Sequence, residues 1–307
     1  MRTTLHSRTW RGVAATVLTS ILITASMSVA GPSTAAAPSV QVTNAVPPKP
    51  GGSYLYAPSI ADNNLTVIDT DTNKVVGVQP YGAQPFVSFT NGDHSKTITA
   101  NLFASSFQVR DNTTGTSHRV MLPSHPFIVV PMKDGRHFVA SLADNTVIVW
   151  DSVTEKIDKT IPVWAPFWFI GSYSFLPPGA VSLELSPDDT IVYVGYGIGS
   201  INAYRLSDGR EVRPRISADG FAPAWFNISP DGRHLFALNV VGDVTVIDTQ
   251  SWTVIKRIPP FLAMTGSISP DGKRMFFAGL DGITVVDLDS LKVVGSVYAQ
   301  GMATNVL

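Results

Sequence analysis

From Tyr54 onward the chain is written in short runs that alternate apolar and polar residues, each run bounded by Gly, Pro, Asn, Asp or Ser. No stretch of this region places apolar residues at the 3.6-residue spacing of an amphipathic helix. The clearest unit runs from Ala222 to Ile258. Ala224–Ile228 predicts a first strand, Ser229-Pro230-Asp231-Gly232 a tight turn, His234–Leu238 a second strand, Val244–Asp248 a third and Thr253–Ile258 a fourth. In that turn the proline presets φ, and the glycine accepts the positive φ that a side chain resists.

The unit repeats. Ser269-Pro270-Asp271-Gly272 follows Ser229-Pro230-Asp231-Gly232 by about forty residues, and earlier copies begin near Ser186, Met132 and Thr90. The copy at Tyr54 lacks its leading strand and turn. The last run of the chain, Met302–Leu307, aligns with that missing strand and is expected to pair with the first unit. Four strands in about forty residues is the size of a β-propeller blade. The predicted fold is therefore an all-β propeller of four-stranded blades, six in number, closed by the C-terminal strand, which removes free sheet edges. A seventh blade is the rival count if the irregular stretch Val163–Pro178 hides a degraded copy.

The tight turn and the third-strand ending carry a resemblance. Ser229–Gly232 and Ser269–Gly272, with Val67-Ile68-Asp69-Thr70, Val246-Ile247-Asp248-Thr249 and Val285-Val286-Asp287, resemble the YVTN-type β-propeller repeat. The resemblance covers the chain from about Tyr54 to its end. It implies a propeller similar to those of surface-layer and cell-envelope proteins, of lactonases and of quinoprotein-like redox enzymes. It leaves function open, because fold alone does not assign it.

Residues 1–36 read as an export signal, with Arg2, Arg8 and Arg11 before an apolar segment rich in small residues. Cleavage is expected after Ala30 or Ala36, giving a secreted or cell-envelope protein with no remaining membrane span. Residues 37–52 form a Pro- and Gly-rich linker, and 53–307 form one propeller domain with an aromatic insertion at 163–178. Loss of the signal leaves 19 basic and 23 acidic residues, net −4, with no basic stripe to suggest a nucleic-acid partner. The chain has no cysteine, which excludes disulfides, thiol catalysis, iron–sulfur clusters and covalent haem. A monomer is expected.

The repeated aspartates Asp69, Asp151, Asp248 and Asp287 end third strands and are read as caps of their own turns, not as a ligand set. Candidate function sits in the loops that enter each first strand. Tyr81, Trp164, Phe167, Trp168, Tyr173, Phe221, Phe261, Met264 and Met302 make one rim of the channel aromatic, with Phe86, Phe127 and Trp225 just inside. An apolar rim predicts a site for a hydrophobic small molecule or a protein partner. Alternation along the first strands predicts that Phe86 and Ser88, Ile128 and Val130, Ser182 and Glu184, Trp225 and Asn227, and Thr265 and Ser267 face the channel. Glu184 is then the one carboxylate of this set, and an apolar channel should raise its pKa. Glu184 with His125 on the rim would suit acid–base chemistry in a cyclase or isomerase. A lactonase-like hydrolase is the form of enzyme the resemblance implies, although only Glu184, Asn227 and Asn305 offer candidate polar groups. No metal-ligand spacing occurs. The sequence leaves open whether the protein is catalytic, and it identifies no cofactor.

Overall fold

The computed structural model describes residues 53–59, 62–164, 179–218, 220–259, 263, 265–279 and 282–298. Among them, 23 strands form six antiparallel sheets and there is no helix. Each sheet is a meander whose strands pair in chain order. Blade 1 shows three strands, Tyr54–Ser59, Asn64–Asp69 and Lys74–Pro80. Blades 2 to 6 have four strands each, over residues 85–121, 126–162, 180–217, 221–258 and 265–297. Their inner strands are Pro85–Thr90, Pro126–Pro131, Ala180–Leu185, Phe221–Ile228 and Thr265–Ile268.

The chain is thus a six-bladed β-propeller. The inner strands of blades 3 and 4 touch directly, so no seventh blade stands between them. The strand expected to complete blade 1, Met302–Leu307, lies outside the described residues.

The repeated residues act as the pattern predicts. In blade 5 the Ser229 hydroxyl donates to Asp231 Oδ1 and accepts from the His234 N–H at 2.9 Å, while Asp231 Oδ1 also accepts from the Arg233 N–H at 3.0 Å. Ser269, Asp271 and Arg274 reproduce this network in blade 6. Gly232 and Gly272 sit at φ 74° and 69°, where a side chain would strain the turn. The third-strand aspartates cap their turns: Asp69 Oδ1 accepts from the N–H groups of Asp71 and Thr72, both at 2.9 Å, and Asp248 Oδ1 from Gln250 at 3.0 Å and Ser251 at 2.8 Å. Asp151 and Asp287 do the same for Val153 and Ser290.

Two of these aspartates also take an arginine from the preceding turn. Arg233 Nε lies 3.1 Å from Asp248 Oδ2, and Arg136 grips both Asp151 oxygens. The Ser251 N–H and then the Arg233 guanidinium hold Asp248 down to about 2. Arg136 holds Asp151 well below the usual carboxylate range. These acids pin their turns and the preceding arginines.

The core is distributed as layers between blades. Blades 2 and 3 bury Phe107, Val109, Phe138, Ile148 and Trp150 between them; blades 3 and 4 bury Val139, Val147, Leu183, Val192 and Tyr196. Blades 4 and 5, then 5 and 6, close on Phe226, Leu235 and Ile247 and on Phe236, Val246 and Phe277. The alternation of each strand explains the layering: one face goes to each neighbouring blade.

The interface of blades 1 and 2 differs. It buries Arg110 completely, with Thr97, Thr99 and Gln108 beside it. The guanidinium lies 5.1 Å over the Tyr56 ring, and Nη1 donates to Asn112 Oδ1 at 2.8 Å. Nε and Nη2 have no hydrogen-bond partner among the described residues.

Candidate functional site

The inner strands of blades 2 to 6 and the first described strand of blade 1 border a half-open cavity of about 730 Å³. All six blades contribute to it, from Leu55 and Tyr56 of blade 1 through Phe86, Val130, Glu184 and Trp225 to Ser267 of blade 6. The cavity is of the size that takes a small organic ligand. Blade 1 presents Tyr54–Ser59 here, a strand that aligns with the second strand of the other blades.

Strand alternation predicted ten inward positions. Nine of them line the cavity: Phe86, Ser88, Ile128, Val130, Ser182, Glu184, Trp225, Asn227 and Ser267. The intervening residues Leu183, Leu185 and Phe226 are buried, and Leu183 and Phe226 also border the cavity. Phe86 is 46% exposed and borders the cavity. An exposed apolar ring beside a ligand-sized cavity is the kind of surface a ligand covers.

Glu184 stands on the inner strand of blade 4. Its side chain meets the void but has protein around it, and the only hydrogen bond it accepts among the described residues is from the Leu185 N–H, at 2.9 Å. Loss of hydration raises its carboxyl to about 7; the charge of Asp189 pushes in the same direction and the Leu185 N–H opposes it. Near neutral pH the group therefore holds and releases a proton readily. Asn227, on blade 5, donates from Nδ2 to the Gly266 carbonyl at 3.1 Å, while its Oδ1 is buried without a partner among the described residues. Gly266 makes this contact possible, since a Cβ there would come within 2.7 Å of Asn227 Oδ1. Ser182 and Ser88 are already engaged, with the Pro223 carbonyl and the Thr99 hydroxyl respectively.

The rim residues divide. Tyr81 is buried at the interface of blades 1 and 2, where its hydroxyl accepts from Thr99 at 3.0 Å, so it packs rather than lining the mouth. Phe127 belongs to the apolar core of blades 3 and 4. Trp164 lies edge-on to Tyr196 at 5.1 Å between ring centroids, under the Arg215 guanidinium at 3.8 Å, away from the cavity. Phe167, Trp168, Tyr173, Phe261, Met264 and Met302 lie outside the described residues, as does the side chain of Phe221. His125 is exposed, its Nδ1 2.8 Å from Ser105 Oγ, and it does not line the cavity with Glu184.

One cluster was not anticipated. His137, Asp151 and Asp158 bring ligand-type atoms within 4.8 Å of one another on blade 3. Asp151 is occupied by Arg136, and His137 donates to Asp158 Oδ2 at 3.0 Å and to Asp134 Oδ2, so the group is internally satisfied. The pairing was legible in principle, because His137 and Asp151 are register partners, as are His234 and Asp248 in blade 5. No protein-family model matches the chain, and none of the curated proteins compared with it matches either.

Proposed function

We propose that the protein binds a hydrophobic small molecule in its central channel, against Phe86 and Trp225 and beside Glu184. The observation that carries this reading is the exposed Phe86 ring on a cavity of about 730 Å³ whose walls come from all six blades. Such a ring gains about 25 cal/mol for each Å² that a ligand covers. The leader-like segment at residues 1–36 supports an exported protein, and the turn and third-strand residues support a YVTN-type repeat. A thermal-shift screen of hydrophobic compounds tests the binding. A compound at about a hundred times its dissociation constant should raise the melting temperature by roughly 5 °C. The shift should shrink in Phe86→Ser, whose side chain contributes little to the core. A panel with no shift, or shifts that Phe86→Ser leaves unchanged, would overturn the reading.

A second reading rests on Glu184 itself. A carboxyl near neutrality in an apolar channel suits proton transfer to a bound molecule, as a cyclase, isomerase or lactonase-like hydrolase would need. This reading requires Glu184→Gln to keep binding and lose turnover. Loss of both together would reduce Glu184 to a binding group.

A further inference from the structure

We propose that the ligand of the channel is a hydrophobic cation, an amine or quaternary ammonium ion, whose charged head sits against Glu184 with Phe86 and Trp225 lining the space around it. The inference rests on the channel being a binding site, and it adds the charge class of the ligand.

The polar groups of the wall set that charge. Glu184 and Tyr56 are the only titratable residues lining the cavity among the described residues. The inner strands of blades 2, 3, 5 and 6 present no Lys, Arg or His to it. Asp189, which adds its negative charge to the surroundings of Glu184, is itself a carboxylate. Arg110 is fully buried behind the ring of Tyr56 and does not line the cavity. Channel wall and channel charge therefore disfavour an anion: it would meet a carboxyl and no donor cation. A neutral apolar molecule would cover Phe86 and Trp225 and leave Glu184 without a partner, which carries a desolvation cost. An organic cation meets both features together. Its charge compensates the desolvated carboxylate and is attracted to the aromatic faces through their quadrupole, and its apolar body covers the same rings.

Proton balance follows from the same geometry. A cation binds the ionised form of Glu184, so at neutral pH the carboxyl gives up its proton to the buffer as the ligand enters. Affinity should therefore fall as pH drops through the range near 7 where Glu184 takes up its proton. A one-proton linkage makes binding roughly thirtyfold weaker at pH 5.5 than at pH 8.

The test compares phenyltrimethylammonium, whose charge does not titrate, with tert-butylbenzene, its neutral isostere, by calorimetry on the full chain. Running each at pH 7 in two buffers of different ionisation heat reports the released proton, and parallel runs at pH 8 and pH 5.5 report the change in affinity. Expected are binding of the cation at least roughly tenfold tighter than the isostere, proton release near neutrality, weakening at pH 5.5, and loss of the preference in Glu184→Gln. Equal binding of both probes would overturn the cation inference and leave the apolar channel standing. A preference that survives in Glu184→Gln would overturn it too, by placing the charge recognition elsewhere. Binding of neither probe would count against the channel itself, which the Phe86→Ser comparison checks separately.

Discussion

Glu184→Gln should make the protein more stable at pH 8, by up to about 3 kcal/mol, although the position lies at the heart of the candidate site. The folded state holds the Glu184 carboxyl at about 7 because the channel removes its hydration. In the unfolded chain the group has an ordinary carboxyl pKa, near 4.5. Between those values the folded protein binds more protons than the unfolded one, so stability declines as pH rises from about 4.5 to 7 and then levels off. Below that window both states are protonated and the contribution is absent. Glutamine keeps the shape and the hydrogen-bonding reach without the charge, which removes the penalty. Urea unfolding at pH 4.5 and pH 8 checks the sign: wild type and variant should agree closely at pH 4.5 and separate at pH 8, with the variant more stable. A variant that is equally or less stable at pH 8 would mean that water or an unseen donor already stabilises the carboxylate. The gain illustrates how a functional group is held at a cost in stability.

Trp150→Ala should show the largest loss of stability. Trp150 is fully buried in the layer between blades 2 and 3, edge-on to Phe107 at 5.2 Å and to Phe138 at 6.2 Å between ring centroids. Removing a buried indole leaves a cavity as well as losing transfer energy, and costs about 3 to 5 kcal/mol. For a domain of this size the melting temperature should fall by roughly 10 °C. Trp150→Phe should recover much of that loss, because Trp150 Nε1 makes no hydrogen bond among the described residues and nothing polar is left stranded. Calorimetry on the two variants separates packing from polarity. If Phe behaved as badly as Ala, the indole would have to be engaged in a contact beyond the apolar layer.

Much of this fold was legible because a propeller repeats its physics. The alternation of Glu184, Leu183 and Ser182, or of Asn227, Phe226 and Trp225, points to the inner strands as the channel wall; Ser182, Glu184, Trp225 and Asn227 border the cavity, but so do Leu183 and Phe226, so the two faces divide less sharply than the pattern states. The turn glycines and third-strand aspartates recur with the same partners in several blades. What failed to read through was the rim. Tyr81 and Phe127 lie near loop–strand junctions, where apolar residues suggest an exposed mouth, yet both turn back between blades. Nothing in the local pattern announces that the first interface is polar, built on the buried Arg110, and so accepts the hydroxyl of Tyr81 toward Thr99. The cluster of His137, Asp151 and Asp158 escaped for a different reason: its members share a sheet but not a sequence neighbourhood, and only strand register brings them together.

The central claim is that the channel is a desolvated, ligand-sized space with one acid in it, and the titration of Glu184 reports on that directly. The chain has only three glutamates, Glu155, Glu184 and Glu211, so carbon-13 labelling of their carboxyls gives three resonances, with Glu184→Gln to assign the one of interest. The account predicts a midpoint near 7 for Glu184, while Glu155, bonded to His118 and Lys96, titrates below the ordinary range. A Glu184 midpoint close to 4.5 would contradict it, since a carboxyl that titrates as in water stands in a channel that water fills.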